Sequence, residues 1–155
     1  MKILFGVITI VVSASLITIS IVTPEILSKN TFLANFINHE ILNILAVIVT
    51  VTLVSITQVH LEFGRIERRL KEKIFPEARR EINQTTWALG LSFILVLFAL
   101  ILRGGVADTN LMEVSLFNSF CLIMLLVATL SMIDVVHIMH VISDGEPIDD
   151  NTKES

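Results

Sequence analysis

The sequence predicts an all-α integral membrane protein: four transmembrane helices in a bundle, with a charged cytoplasmic helical connector between helices 2 and 3. Three observations carry that prediction. Hydrophobic residues make up 54% of the chain and its mean hydropathy is +0.81, above the range of a soluble domain. Four apolar stretches are each long enough to cross a bilayer core. A single block, 60–81 (HLEFGRIERRLKEKIFPEARRE), holds seven of the eleven Lys and Arg residues.

The first stretch, 3–22, runs twenty residues without a charge. As a helix it would be about 30 Å long, enough for the hydrocarbon core. Lys2 is the only charge before it. The competing reading is a cleaved signal peptide, but the run is long for one and no small-x-small site ends it. An uncleaved first span is expected.

Thr23-Pro24-Glu25 reads as a helix start, with a hydroxyl cap, proline at the first helical position and an acid in the first turn. Phe32, Leu33, Phe36 and Ile37 recur at helical spacing among polar residues, which predicts a short helix lying in the interface. The second span covers 41–59, with Glu40 placed favourably for the helix dipole.

The connector, 60–85, follows. Leu61, Ile66, Leu70 and Ile74 fall near one helical face, and Glu67/Lys71, Arg68/Glu72 and Lys73/Glu77 are i,i+4 pairs of opposite charge. Pro76 predicts a break near Phe75. Asn83-Gln84-Thr85-Thr86 predicts a turn and cap into the third span, 86–102, with Trp87 at interface depth. Arg103-Gly104-Gly105 ends that span, and 103–113 reads as a short loop.

The fourth apolar segment runs from Val114 to Ile142. That is about 43 Å of helix, longer than a bilayer requires, so the part from Asp134 onward is expected to emerge. The membrane domain is thus 1–143, with its last span at about 114–135. The tail, 144–155, is acidic and is expected to be disordered.

Orientation follows from the basic residues. Lys2, the seven connector residues and Lys153 lie on one side, nine in all, against Lys29 and Arg103 on the other. That bias predicts a multi-pass inner-membrane protein with both termini cytoplasmic.

Several intramembrane polar residues repeat every seven positions: Gly6, Ser13 and Ser20; Asn43, Thr50 and Thr57 with Ala46 beside them. Ala88, Ser92 and Ala99 form a similar small-residue face. The simplest expectation is close helix–helix contact within the bundle. In the fourth segment Ser115, Asn118, Ser119 and Thr129 share a stripe that His137 and His140 extend. That stripe is either glue between helices or the lining of a pore built from several copies.

Asp134, His137 and His140 form a D-x-x-H-x-x-H run, and His60 ends the second span at similar depth. Together they are a candidate gate. A bis-histidine haem between His60 and His137 or His140 is the redox alternative. The spacing brings no more than two ligands together, so no metal site is predicted. Arg65, Arg68, Arg69, Lys71, Lys73, Arg79 and Arg80 are candidates for anionic lipid or ligand binding. Five interleaved glutamates argue against a nucleic-acid surface. The lone Cys121 sits mid-span and behaves as a small apolar side chain.

No catalytic constellation is present: no Gly-rich phosphate loop, no nucleophile with a base, no CxxC. The expected function is therefore non-enzymatic and without cofactor. It is a homo-oligomeric ion channel or membrane-permeabilising effector gated from the cytoplasmic side, with the bilayer, further copies and a regulator of the connector as partners. The alternatives are a binding or protection module, such as an immunity protein against a pore-forming toxin or an accessory subunit, and a haem-binding redox protein.

Overall fold

The computed structural model describes residues 2–71, 74–105 and 110–144. They form six helices: α1 (Lys2–Val22), α2 (Pro24–Ser28), α3 (Thr31–Phe36), α4 (His39–Leu70), α5 (Pro76–Arg103) and α6 (Leu111–Asp144). There is no strand among the described residues. Four of the helices, α1, α4, α5 and α6, are long and apolar enough to cross a membrane, the architecture of a multi-pass membrane protein. The tail residues 145–155 lie outside the described residues.

The bundle is organised on α6, against which α1, α2, α4 and α5 all pack. Its buried centre joins Ile41 and Leu45 of α4, Leu89, Val96 and Ala99 of α5, and Cys121 and Ala128 of α6. Leu27, Leu33 and Ile37 close that core at one end. The segment expected to hold a short interfacial helix forms two short helices, which turn Leu27 and Leu33 into the bundle and leave Ile26 outside. Pro24 opens α2 at its first turn, and the Asn30 side chain caps α3 by accepting from Leu33 N at 3.1 Å. Phe32 stays outside, 68% exposed, stacked on Phe36.

At the opposite end α4, α5 and α6 continue past the main core. At 1.5 Å per residue α4 spans about 48 Å and α6 about 51 Å, against roughly 30 Å of hydrocarbon. A second apolar cluster holds this extension together: Ile56, Val59 and Phe63 of α4, Ile82 of α5 and Val135 of α6. The connector is thus mostly the ends of α4 and α5, folded into a hairpin.

The break expected near Phe75 is present, between the end of α4 at Leu70 and the start of α5 at Pro76, and two expectations for the connector, the Glu67/Lys71 pair and the turn at 83–86, are corrected. Of the shared face, Leu61, Leu70 and Ile74 are exposed and Ile66 is half-buried, while Val59, Phe63 and Ile82 are buried. Glu67 pairs with Arg79 across the hairpin at 2.9 Å rather than with Lys71. The chain turns at Lys71, whose φ of 56° makes a left-handed cap without glycine. That conformation costs an L-residue about 1–2 kcal/mol. No turn occurs at 83–86: Pro76 starts α5 early, and Thr85 and Thr86 bond back to Glu81 O and Ile82 O within a continuous helix. Glu72 and Lys73, with their expected pairs, lie outside the described residues.

Gly104 and Gly105 follow α5, and Arg103 ties its end to the end of α3 by donating to Ile37 O at 2.6 Å. The fourth long helix begins at Leu111, three residues before the expected start. Asn110 caps it: its amide donates to Glu113 Oε1 and its Oδ1 accepts from Glu113 N, a reciprocal arrangement like the capping box.

Candidate functional site

Three of the four stripe residues, Ser115, Asn118 and Ser119, are buried in the seam between α6 and the α1–α2 corner. Ser20 of α1 meets Ser119 with hydroxyls 2.6 Å apart, and it also reaches Ser115 O at 3.2 Å. Ser119 reaches Leu16 O at 3.3 Å. Asn118 Nδ2 donates to Leu27 O at 2.8 Å. A hydroxyl has one proton, so Ser20 and Ser119 share two donated bonds among three acceptors. Small residues allow the approach, and the hydrogen bonds set its register. Thr129 differs: half-buried, it bonds back to Leu125 O on its own helix. Of the stripe's two readings, the geometry at these three residues is that of a seam within one chain.

The other repeats divide. Ser92 and Ala99 are buried as expected for packing, and Ala88 is exposed. In α1 Ser20 is buried, Ser13 half-buried and Gly6 exposed. On α4 the expectation of contact within the bundle fails, because Asn43, Ala46, Thr50 and Thr57 all face outward. Val47 and Val54 fill the same face, 62% and 55% exposed. Thr50 and Thr57 satisfy their own protons on Ala46 O and Leu53 O. The Asn43 amide has no hydrogen bond among the described residues. Spacing alone could not separate this face from the buried one on α6, since each only places polar residues on one side of a helix.

The gate residues do not converge into a ligand set. Among the described residues no group of three or more His, Cys, Asp or Glu side chains comes together to hold a metal ion. His60 is half-buried, and His137 and His140 are exposed. Asp134 turns into a groove of about 260 Å³ between α1, α5 and α6. Phe5, Gly6 and Thr9 form one wall, Thr85 another, and Val127, Leu130 and Ser131 the floor beside Asp134.

The basic connector residues also separate by role. Arg79 is half-buried and held by Glu67, with its guanidinium 5.9 Å from the centre of the Phe63 ring. Phe63 in turn stacks on Phe75 at 4.5 Å. Arg65 pairs with Glu62 at 2.5 Å, and Arg68 Nε donates to Gly64 O. Arg68, Arg69, Lys71 and Arg80 are exposed around the hairpin tip. Lys73 lies outside the described residues.

Comparison with protein-family models, with curated proteins and with solved structures finds no match.

Proposed function

We propose that this chain is a non-enzymatic membrane module that acts by assembling laterally in the bilayer through the outward face of α4. One observation carries the reading. Asn43, Ala46, Thr50 and Thr57 recur near heptad spacing on a face left exposed by every described helix. Lipid tails offer nothing to an amide, whereas a second helix does. Ala46 and the threonines allow close approach, and the seven-residue repeat suits a left-handed crossing near 20°.

The simplest partner is a second copy. A twofold axis along the membrane normal would set two α4 helices side by side and parallel. It would also bring the two Asn43 amides together, and an amide is self-complementary because each carries donor and acceptor. The basic hairpin tips would then stand together on the cytoplasmic side of an inner membrane, following the bias of basic residues.

A conducting assembly is the second reading. It is favoured by the hydroxyl oxygens of Thr50, at mid-span depth on that outward face, and of Thr57, nearer the connector end of the span. Three or more copies arranged around α4 would turn them toward a conduit.

The test is the mass of the protein in nanodiscs, with ion flux measured on the same preparation in liposomes. Ala46→Leu and Thr50→Leu are expected to shift the oligomer toward monomer. Flux that rises steeply with protein density and falls in Thr50→Leu would favour conduction. A monomer unaffected by either substitution would refute lateral self-assembly.

A further inference from the structure

The groove at Asp134 is the strongest unassigned feature, and it lies away from the α4 face. Asp134 is the one acid on α6 between Glu113 and Asp144. It makes no ion pair or hydrogen bond among the described residues. A carboxylate at the edge of the hydrocarbon region is costly unless it is paired, and such acids mark sites.

The surroundings define what would pair with it. Thr9 and Thr85 spend their protons on Phe5 O and Glu81 O, so their oxygens offer only lone pairs to the groove. The Ser131 hydroxyl has no hydrogen bond among the described residues. The polar side of the groove is therefore mainly acceptor and negatively charged, and its counterpart is a cation with several N–H donors. The other side is apolar, formed by Phe5, Val127 and Leu130. The volume of about 260 Å³ lies below the ~300–1,000 Å³ of a pocket for a drug-sized molecule. It suits a headgroup rather than a whole lipid.

We infer that this groove binds the primary ammonium headgroup of a phosphatidylethanolamine-type lipid of the adjacent leaflet. The ammonium donates one N–H to Asp134 and has two more for acceptors drawn from the Thr9, Thr85 and Ser131 oxygens. The acyl chains leave sideways along Phe5 and Leu130. Choline, which has no N–H, leaves these acceptors unmet. The inference rests on insertion of the helices in a bilayer, and not on assembly through α4.

The test counts lipid retained by the full-length protein. The protein is reconstituted in phosphatidylcholine vesicles with and without phosphatidylethanolamine of the same chains, re-extracted in mild detergent, and analysed by native mass spectrometry. Retention of phosphatidylethanolamine over phosphatidylcholine is expected, falling stepwise as the amine is mono-, di- and trimethylated. Asp134→Asn, close in shape, is expected to lose at least about tenfold in that preference, the scale of a charge-assisted hydrogen bond. Thr9→Val is expected to lose less.

Equal retention of both lipids, or an unchanged preference in Asp134→Asn, overturns the inference. So does displacement of the lipid by free ethanolamine at equal concentration, because the site would then take a soluble amine. Flotation with the vesicles checks insertion separately. Protein that floats without lipid preference refutes the groove assignment alone, and protein that fails to float refutes the membrane reading beneath it.

Discussion

Asn118→Leu distinguishes a packing seam from a water-facing stripe. Asn118 is fully buried, and its amide donates to Leu27 O at 2.8 Å. That bond holds the α1–α2 corner against α6. Leucine keeps the branched four-atom shape, though its methyl groups are bulkier, and cannot donate, so one interhelical hydrogen bond is lost and the Leu27 carbonyl is left without that partner. Side-chain hydrogen bonds between membrane helices are worth about 0.6 kcal/mol on average and up to about 1.7. The substitution should therefore lower the folded-to-unfolded ratio roughly 3- to 20-fold. Thr129→Val is the control. Its hydroxyl bonds only to Leu125 O of its own helix, and valine keeps the branched shape, so a change within about 0.5 kcal/mol is expected. Reversible unfolding in bicelles measures both. Equal stability of Asn118→Leu and wild type, together with a flux defect in both variants, would refute the seam and restore a pore lined by the α6 stripe.

Three further outcomes follow from the geometry. Arg79→Ala removes a half-exposed ion pair and a cation–π contact, worth together about 1–2 kcal/mol. Trypsin cleavage at the hairpin tip should speed up roughly 5- to 30-fold as the hairpin opens, and an unchanged rate would show that Glu67–Arg79 does not hold it shut. Lys71→Cys should be labelled by an impermeant maleimide only from the cytoplasmic face, and Asn38→Cys only from the other. Both labelling from one side would break the four-span topology, and the buried Cys121 keeps the background low. The purified protein should be colourless, since the exposed His137 and His140 provide no enclosed haem site. A Soret band with stoichiometric iron would reinstate the His60 reading.

The four long helices were legible because the length of an apolar run is a direct physical requirement for crossing a bilayer. The expected start at Ile3 and the observed start at Lys2 differ by a single residue. The early start of α6 was also readable, since Asn110 and Glu113 stand three apart ahead of an apolar run. The Glu67–Arg79 pair was not. Its partners are twelve residues apart, and i,i+4 alternatives satisfy the same charges on paper. Nor was the turn at Lys71 legible, because a left-handed cap usually announces itself with glycine or asparagine. The candidate site was legible only as faces. Spacing identifies which residues share a side of a helix, but not what that side meets. Ser115, Asn118 and Ser119 met α1 and α2, while Asn43, Thr50 and Thr57 face outward from the described residues. The groove at Asp134 needed three helices that are far apart in sequence.

Cysteine cross-linking along α4 in native membranes tests lateral assembly most directly. Single cysteines at Asn43, Thr50 and Thr57 sample the outward face, and Ile44 and Val51 sample its exposed flank. Oxidation is expected to yield dimers from the first three and little from the other two, repeating at seven residues along the helix. Uniform cross-linking at all five positions, or none at any, would contradict assembly through that face and leave α4 a lipid-facing helix.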